Sequence, residues 1–256
     1  MDQPKEPAFG PVKKPSGDDI EPMSIGKRLG VAPGVHAASV IPTELSFMGH
    51  GDEIGLTYFK LARSIAVLTW GALSWDPREL PLVYEDPEHP EAAWQPGGPE
   101  LPIEFSRVAV DCRLIPVIDP AGGVPVPTLW ARSRRNDLNA AVDDLMKVEG
   151  ARNPKLIGFV DVKDNKHPCL ANVAMAEPVK VWARGHELDC VVWSELPPNF
   201  EKHTGRPFSL DAAAAYLRGL PKALAEQARE YVDRAPAGVD TPLRRRLAAD
   251  GWPGLA

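Results

Sequence analysis

The chain has few cysteines and no long apolar run. Its three cysteines, Cys112, Cys169 and Cys190, include no Cys-x-x-Cys pair, which argues against a disulfide framework and fits a reducing compartment. The longest apolar stretch, residues 64–75, is far shorter than the ~20 residues that cross a bilayer. Residues 1–15 lack the apolar segment of a secretory signal. We therefore expect a soluble, cytoplasmic protein that has no membrane contact.

A surplus of basic residues is also missing. The 35 acidic residues outnumber the 29 basic ones and give a net charge of −6, whereas proteins that bind nucleic acid usually carry a basic balance or a basic stripe. The one tight basic cluster, Arg244, Arg245 and Arg246, has the pattern of a solvated helix face. We expect no nucleic-acid partner.

Several catalytic and metal-binding motifs are absent. The sequence contains neither Gly-x-Ser-x-Gly nor a Gly-x-x-x-x-Gly-Lys phosphate loop, which argues against serine hydrolase and P-loop nucleotide chemistry. The spacings of His167, Cys169, His186, Cys190 and His203 match no zinc pattern. We therefore predict no metal and no cofactor.

Composition divides the chain into three parts. Seven prolines fall within residues 1–42, and residues 1–30 have too few apolar side chains to offset the entropy of ordering, which predicts a disordered tail. We assign residues 31–200 to one α+β domain, with no role for residues 31–60. Residues 201–256 read as a helical extension packed on the same core.

Apolar patterning predicts the elements of the α+β domain. The apolar run at residues 65–70 ends at Gly71, as expected of a buried strand followed by a turn. Asn136 or Asp137 caps a helix that Gly150 ends. A three-stranded meander is expected from residues 103–110, 114–118 and 124–131. Further strands are predicted at residues 156–162 and 189–193, and further helices at residues 172–184, 209–218, 221–233 and from 241 onward.

Two segments could carry chemistry. Backbone amides in the turn at Gly71 can hold an anion, as nests of N–H groups do. Glu149 lies at the negative end of the helix beside Val148, and that placement disfavours its ionised form. A carboxyl group whose pKa is raised toward neutrality is a useful general base.

These two segments resemble the motifs of the γ-glutamylcyclotransferase family. Trp70-Gly71-Ala72-Leu73-Ser74 is similar to the family's Tyr-Gly-Ser motif and its two following residues, with Trp for Tyr and Ala for Ser. The helix end at Glu149-Gly150 is similar to the end of Leu-Asp-x-x-Glu-Gly. Residues 101–130 also resemble an uncharacterised bacterial branch of the superfamily. The resemblance covers residues 65–162.

The resemblance implies a fold and an activity. The fold would be α+β, a small mixed β barrel or strongly bent sheet with flanking helices. The enzyme would cleave a γ-glutamyl amide by intramolecular aminolysis to 5-oxoproline and an amine, as a lyase or acyltransferase. Glu149 would be the catalytic base. Substrate binding would fall to Trp70, Gly71, Ala72 and Leu73. Apart from the resemblance, Arg107 is a further candidate for substrate binding, because an arginine at a pocket rim suits a carboxylate.

Two alternatives remain open. Arg107 lies either at the rim of the pocket, facing a carboxylate, or in a cross-strand ion pair. The chain is either this enzyme or a non-catalytic member of the fold that binds an amino-acid-like ligand or a protein. Catalysis requires Glu149 to face the Gly71 turn across a cavity, and a lid at residues 197–206 would favour it. A protein partner would need a flat apolar surface on the C-terminal helices, at Tyr216, Leu217, Leu220, Leu224 and Tyr231.

Overall fold

A computed structural model describes residues 62–164 and 173–252. The predicted tail at residues 1–30 and the segment at residues 31–60 lie outside this part of the chain. So do His167 and Cys169.

The first apolar run forms a strand at the centre of a four-stranded sheet. Strand β1 (Ile65–Thr69) lies between β5 (Leu129–Arg132) and β7 (Cys190–Ser194), and β6 (Ile157–Asp161) pairs with the far side of β7. β1 runs parallel to β7, and the other two pairings are antiparallel. All five residues of β1 are buried, which explains why its sequence is continuously apolar.

A second sheet contains three antiparallel strands. Strand β2 (Glu100–Val108) lies between β3 (Leu114–Ile118) and β4 (Val124–Pro127). The predicted meander is wrong, because β4 pairs with β2 and not with β3. After β3 the chain crosses from one side of β2 to the other and forms β4 there. Ile103 of β2 therefore has partners in both flanking strands.

The predicted strand at residues 124–131 is divided between the two sheets. The break falls at Thr128, whose buried hydroxyl donates to the Pro99 carbonyl at 2.8 Å. Because the chain changes sheet here, the strands within residues 62–164 and 173–252 form two separate sheets and no closed barrel. The α+β class is confirmed. Of the two predicted forms, a small barrel or a strongly bent sheet, the closed barrel is not observed among the described strands.

Six α-helices complete the described part of the chain. Helix α1 (Leu138–Glu149) begins at Asp137, whose carboxylate accepts from the Ala140 N–H at 3.0 Å, and it ends at Gly150 with a left-handed φ of 62°. Both predicted boundaries of this helix are confirmed. The other helices are α2 (Val173–Gly185), α3 (Phe200–Thr204), α4 (Leu210–Arg218), α5 (Lys222–Arg234) and α6 (Pro242–Asp250). None of these six is both long and apolar enough to cross a membrane.

β1 separates two apolar cores. Ile65 and Val67 face a core that α1 fills with Leu145. Ala66 and Leu68 face a second core, which contains the three-stranded sheet and apolar residues of the C-terminal helices, among them Leu217, Val232 and Leu243. Residues 210–250 therefore share the core of the α+β domain.

A buried carboxylate joins the C-terminal helices to β2. Glu104 is fully buried, and its oxygens accept from the Phe105 N–H at 2.7 Å and the Leu243 N–H at 3.2 Å. The side chain of Thr241, which caps α6, also hydrogen-bonds to Glu104. Burial raises the pKa of Glu104, although the bonds from Thr241 and the two amides oppose that rise. The carboxylate thus serves as a partner for the first turn of α6.

We predict that Glu104→Ala lowers the free energy of unfolding. The substitution leaves the buried N–H of Leu243 without its acceptor, which costs about 1–3 kcal/mol. Urea unfolding would measure the change, with Glu100→Ala as the control because Glu100 is exposed on the same strand. Equal effects of the two substitutions would contradict this role for Glu104.

Candidate functional site

A cavity of about 60 Å³ lies at the end of β1. Its walls come from the end of β1, the Gly71 turn (residues 71–74), Arg78, the C-terminal end of α1, strand β3, the end of β7 and helix α5. The residues that provide most of its polar groups are Thr69, Arg78, Glu149, Ser194 and Tyr231. The structure therefore brings Glu149 and the Gly71 turn to one cavity.

The Gly71 turn packs closely against its neighbours. The chain leaves β1 and forms a short 3₁₀ helix (Ala72–Ser74), in which the Ser74 N–H and hydroxyl donate to the Gly71 carbonyl at 2.9 and 2.8 Å. A Cβ atom on Gly71 would lie 3.3 Å from the Tyr231 hydroxyl and 3.5 Å from the Pro116 ring. The absence of a side chain allows α5 and β3 to approach the turn.

The turn's side chains are mostly occupied in packing. Trp70 is buried, and its indole N–H donates to the Pro116 carbonyl at 3.1 Å. Leu73 is buried in the core beneath α1. Both residues line the cavity together with Gly71 and Ala72. Where a polar ligand in the cavity contacts this turn, it would therefore meet backbone groups rather than polar side chains.

Glu149 is the last residue of α1, and it is partly buried. Burial raises the pKa of the Glu149 carboxyl, and the positive charge of Arg78 opposes part of the rise. The Arg78 guanidinium donates to the Val148 carbonyl at the end of α1. Arg78 thus satisfies the end of the helix and also brings a positive charge to the cavity.

Tyr231 closes the cavity from α5. It is only 8% exposed, and the Ala72 N–H donates to its hydroxyl oxygen. The edge of Trp75 packs against its ring with 5.3 Å between centroids, and the Arg113 guanidinium lies 4.6 Å from the ring centre. Burial raises the pKa of Tyr231 to about 12, with Arg113 opposing the rise and Glu149 adding to it.

Arg107 does not line this cavity. Its guanidinium donates to the Pro197 carbonyl at 2.6 Å, and burial lowers its pKa. Two residues further on, Asn199 accepts from the Val108 N–H at 2.7 Å and donates to the Val108 carbonyl at 3.0 Å. Residues 197–206 are therefore bound to β2 and contribute no wall to the cavity. The possible position of Arg107 at the rim, and a lid at residues 197–206 that would favour catalysis, gain no support.

The weaker metal candidates lie apart. His186 packs on Trp182, with 4.5 Å between the ring centroids. The ring centroid of His203 lies 6.3 Å from that of Tyr216. Cys190 is buried beside Arg63, and burial raises the pKa of its thiol to about 12. Within the described ranges, no three His, Cys, Asp or Glu side chains form a group that could hold a metal ion.

The flat apolar surface that would favour a protein partner on the C-terminal helices is not observed at the residues considered. Leu217 and Tyr231 are buried, and Tyr216, Leu220 and Leu224 are partly buried. The large exposed apolar side chains of the described chain, Val83, Val110 and Val181, all lie outside these helices.

Sequence analysis missed Arg78 and Tyr231 as site residues. Tyr231 lies on the buried face of α5 with Ala228 and Val232, a pattern that predicts burial but does not identify its neighbour. Arg78 lies in a loop with a left-handed φ of 54°, and no sequence motif marks it.

Comparisons of the chain with protein-family models, with curated proteins and with solved structures give no match.

We predict that Glu149→Gln stabilises the protein at neutral pH. Because the pKa of Glu149 is raised in the folded state, the native protein holds this proton to higher pH than the unfolded chain does. The wild type therefore loses stability as the pH rises from the ordinary value of 4.5 through the raised pKa, whereas Gln does not titrate.

Urea unfolding across this pH range would measure the difference between the two proteins. The excess stability of Glu149→Gln should disappear below about pH 4.5. Glu88→Gln, on an exposed loop, is the control. A stability difference between Glu149→Gln and the wild type that does not change with pH would contradict the raised pKa.

Proposed function

We propose that this chain is a γ-glutamylcyclotransferase-like enzyme that cleaves a γ-glutamyl amide to 5-oxoproline and an amine. One observation carries the proposal: Glu149 and the Gly71 turn, which the family resemblance pairs as base and substrate-binding turn, line the same cavity. The two segments come from different elements, β1 and α1, and the sequence alone does not bring them together.

Glu149 supplies the base. A carboxyl group whose pKa is raised by burial holds a proton more firmly, and it is therefore a better acceptor for the proton of a substrate ammonium group. The nearby positive charge of Arg78 opposes the rise of this pKa, which favours the ionised form that accepts a proton.

The reaction forms one bond and breaks another within the substrate. Glu149 takes a proton from the α-ammonium group, and the freed nitrogen attacks the γ-carbonyl carbon to form the ring C–N bond. The bond between that carbon and the leaving nitrogen then breaks. Two protons pass in total from the α-nitrogen to the leaving amine, one of them through Glu149. No external oxidant or nucleophile is consumed.

The size of the cavity restricts how a substrate can bind. Its volume of about 60 Å³ is well below the ~300–1,000 Å³ of sites that enclose drug-sized ligands. We infer that the reacting end of the glutamyl group enters the cavity and that the leaving amine stays outside. The enzyme should then tolerate a range of amines.

A second candidate is a binding module without turnover. The observation that favours it is the hydrogen bond between the Ala72 N–H and Tyr231, because one of the amides assigned to the substrate is already occupied. Such a module would bind a small amino-acid-like anion in the same cavity.

Release of 5-oxoproline from a panel of γ-glutamyl amides tests the proposal. We expect turnover by the wild type and a loss of at least ~100-fold in Glu149→Gln, which keeps the shape of the side chain and removes the base. Glu88→Gln, exposed and distant from the cavity, should match the wild type. If no γ-glutamyl compound is cleaved, catalysis is excluded, and calorimetry with 5-oxoproline then tests the binding module.

A further inference from the structure

The hydroxyl of Tyr231 lies beside the Gly71 turn, and both line the cavity. Its oxygen accepts from the Ala72 N–H, and it lies 3.3 Å from the point where a Cβ atom of Gly71 would be. A phenol that accepts one hydrogen bond still has its O–H to donate. Tyr231 and Ala72 both line the cavity, and the Tyr231 hydroxyl keeps a proton that it can donate to a ligand there.

Packing holds the ring of Tyr231 in one position. Trp75 contacts the ring edge-on, and Arg113 lies over its face. Arg113 is itself fixed by Asp111, whose carboxylate accepts from the guanidinium at 2.8 Å. The hydroxyl is thus preorganised, and Tyr231 as a whole is only 8% exposed to solvent.

We propose that Tyr231 is a catalytic residue of this site, and that its O–H donates a hydrogen bond to the γ-carbonyl oxygen of the substrate as that oxygen becomes an oxyanion. This inference rests on the proposed function. It names a side-chain hydrogen-bond donor for the γ-carbonyl oxygen, which the backbone of the Gly71 turn does not supply. No proton is transferred, because the phenol only donates a hydrogen bond to the oxyanion until the carbonyl re-forms.

The electrostatics of the residue suit this role. The pKa of Tyr231, raised to about 12, keeps the hydroxyl protonated at the pH where Glu149 is ionised. The Ala72 N–H polarises the hydroxyl from behind, and hydrogen bonds in series strengthen one another. In this reaction Glu149 acts as a base at the attacking nitrogen, and Tyr231 donates a hydrogen bond to the carbonyl oxygen.

Tyr231→Phe tests the inference, because it removes the hydroxyl and leaves the ring contacts with Trp75 and Arg113. We expect kcat for γ-glutamyl amides to fall by ~10²–10³-fold with little change in KM, as for loss of an oxyanion donor. Tyr216→Phe is the matched control: Tyr216 lies on α4, and its hydroxyl donates to the Cys112 carbonyl at 2.9 Å, outside the cavity. Its kcat should match that of the wild type.

Gly71→Ala provides a second variant that leaves Tyr231 in place. The new methyl group would lie 3.3 Å from the hydroxyl, so the hydroxyl must shift by a few tenths of an ångström from its position, and kcat should fall. In the Tyr231→Phe background the same substitution should cost little further activity, because the hydroxyl that it displaces is already gone. This readout does not depend on whether either variant is slightly destabilised.

The possible outcomes separate the two proposals. An active wild type, with Tyr231→Phe and Gly71→Ala both at wild-type kcat, overturns the role of Tyr231 and leaves the proposed function intact. Fully additive losses in the double variant also overturn it. A wild type that cleaves no γ-glutamyl amide overturns the proposed function and the role of Tyr231 together.

Discussion

The fold depends on the burial of β1 on both of its faces. An apolar strand between two parallel or antiparallel neighbours satisfies its backbone within the sheet, but its alternating side chains must still be covered on two sides. Helix α1 covers one side, and the three-stranded sheet with the C-terminal helices covers the other. Strand β7 also contributes to both cores, with Val191 in one and Val192 in the other. The cavity at the end of β1 is lined by residues that belong to both sides of the sheet.

The candidate site occupies this cavity. Glu149 is carried by α1, which packs in the core on one side of β1. Tyr231 belongs to the core on the other side, and the Gly71 turn directly follows β1. Polar groups placed at the junction of two apolar cores are shielded from water, which raises the pKa of both residues. Because rigid elements carry them, their geometry is set by core packing rather than by loops.

Local patterns in the sequence predicted much of this architecture. The apolar run of β1, the Asp137 cap and the Gly150 stop are short-range signals, and the structure has each of them where it was expected. The pairing between strands was harder to predict from the sequence. Nothing near residues 119–123 distinguishes a chain that returns beside β3 from one that crosses to the other side of β2, so the predicted meander was wrong. The closed barrel, one of the two forms that the family resemblance implied, is not observed among the described strands either. Tyr231 was missed for the same reason, because its contact with Gly71 joins opposite ends of the described chain.

The attachment of the C-terminal helices has a consequence for partial unfolding. Residues 210–250 meet the sheet through apolar packing and through the Glu104 carboxylate, whereas β1 and α1 contact each other without them. Contiguous groups of elements commonly open as a cooperative unit at a lower free energy than the central strands. Such an opening would remove one wall of the cavity and expose Glu149 to water, which returns its pKa toward the ordinary value. The acidity of this one carboxyl would therefore report whether the distant helices are docked.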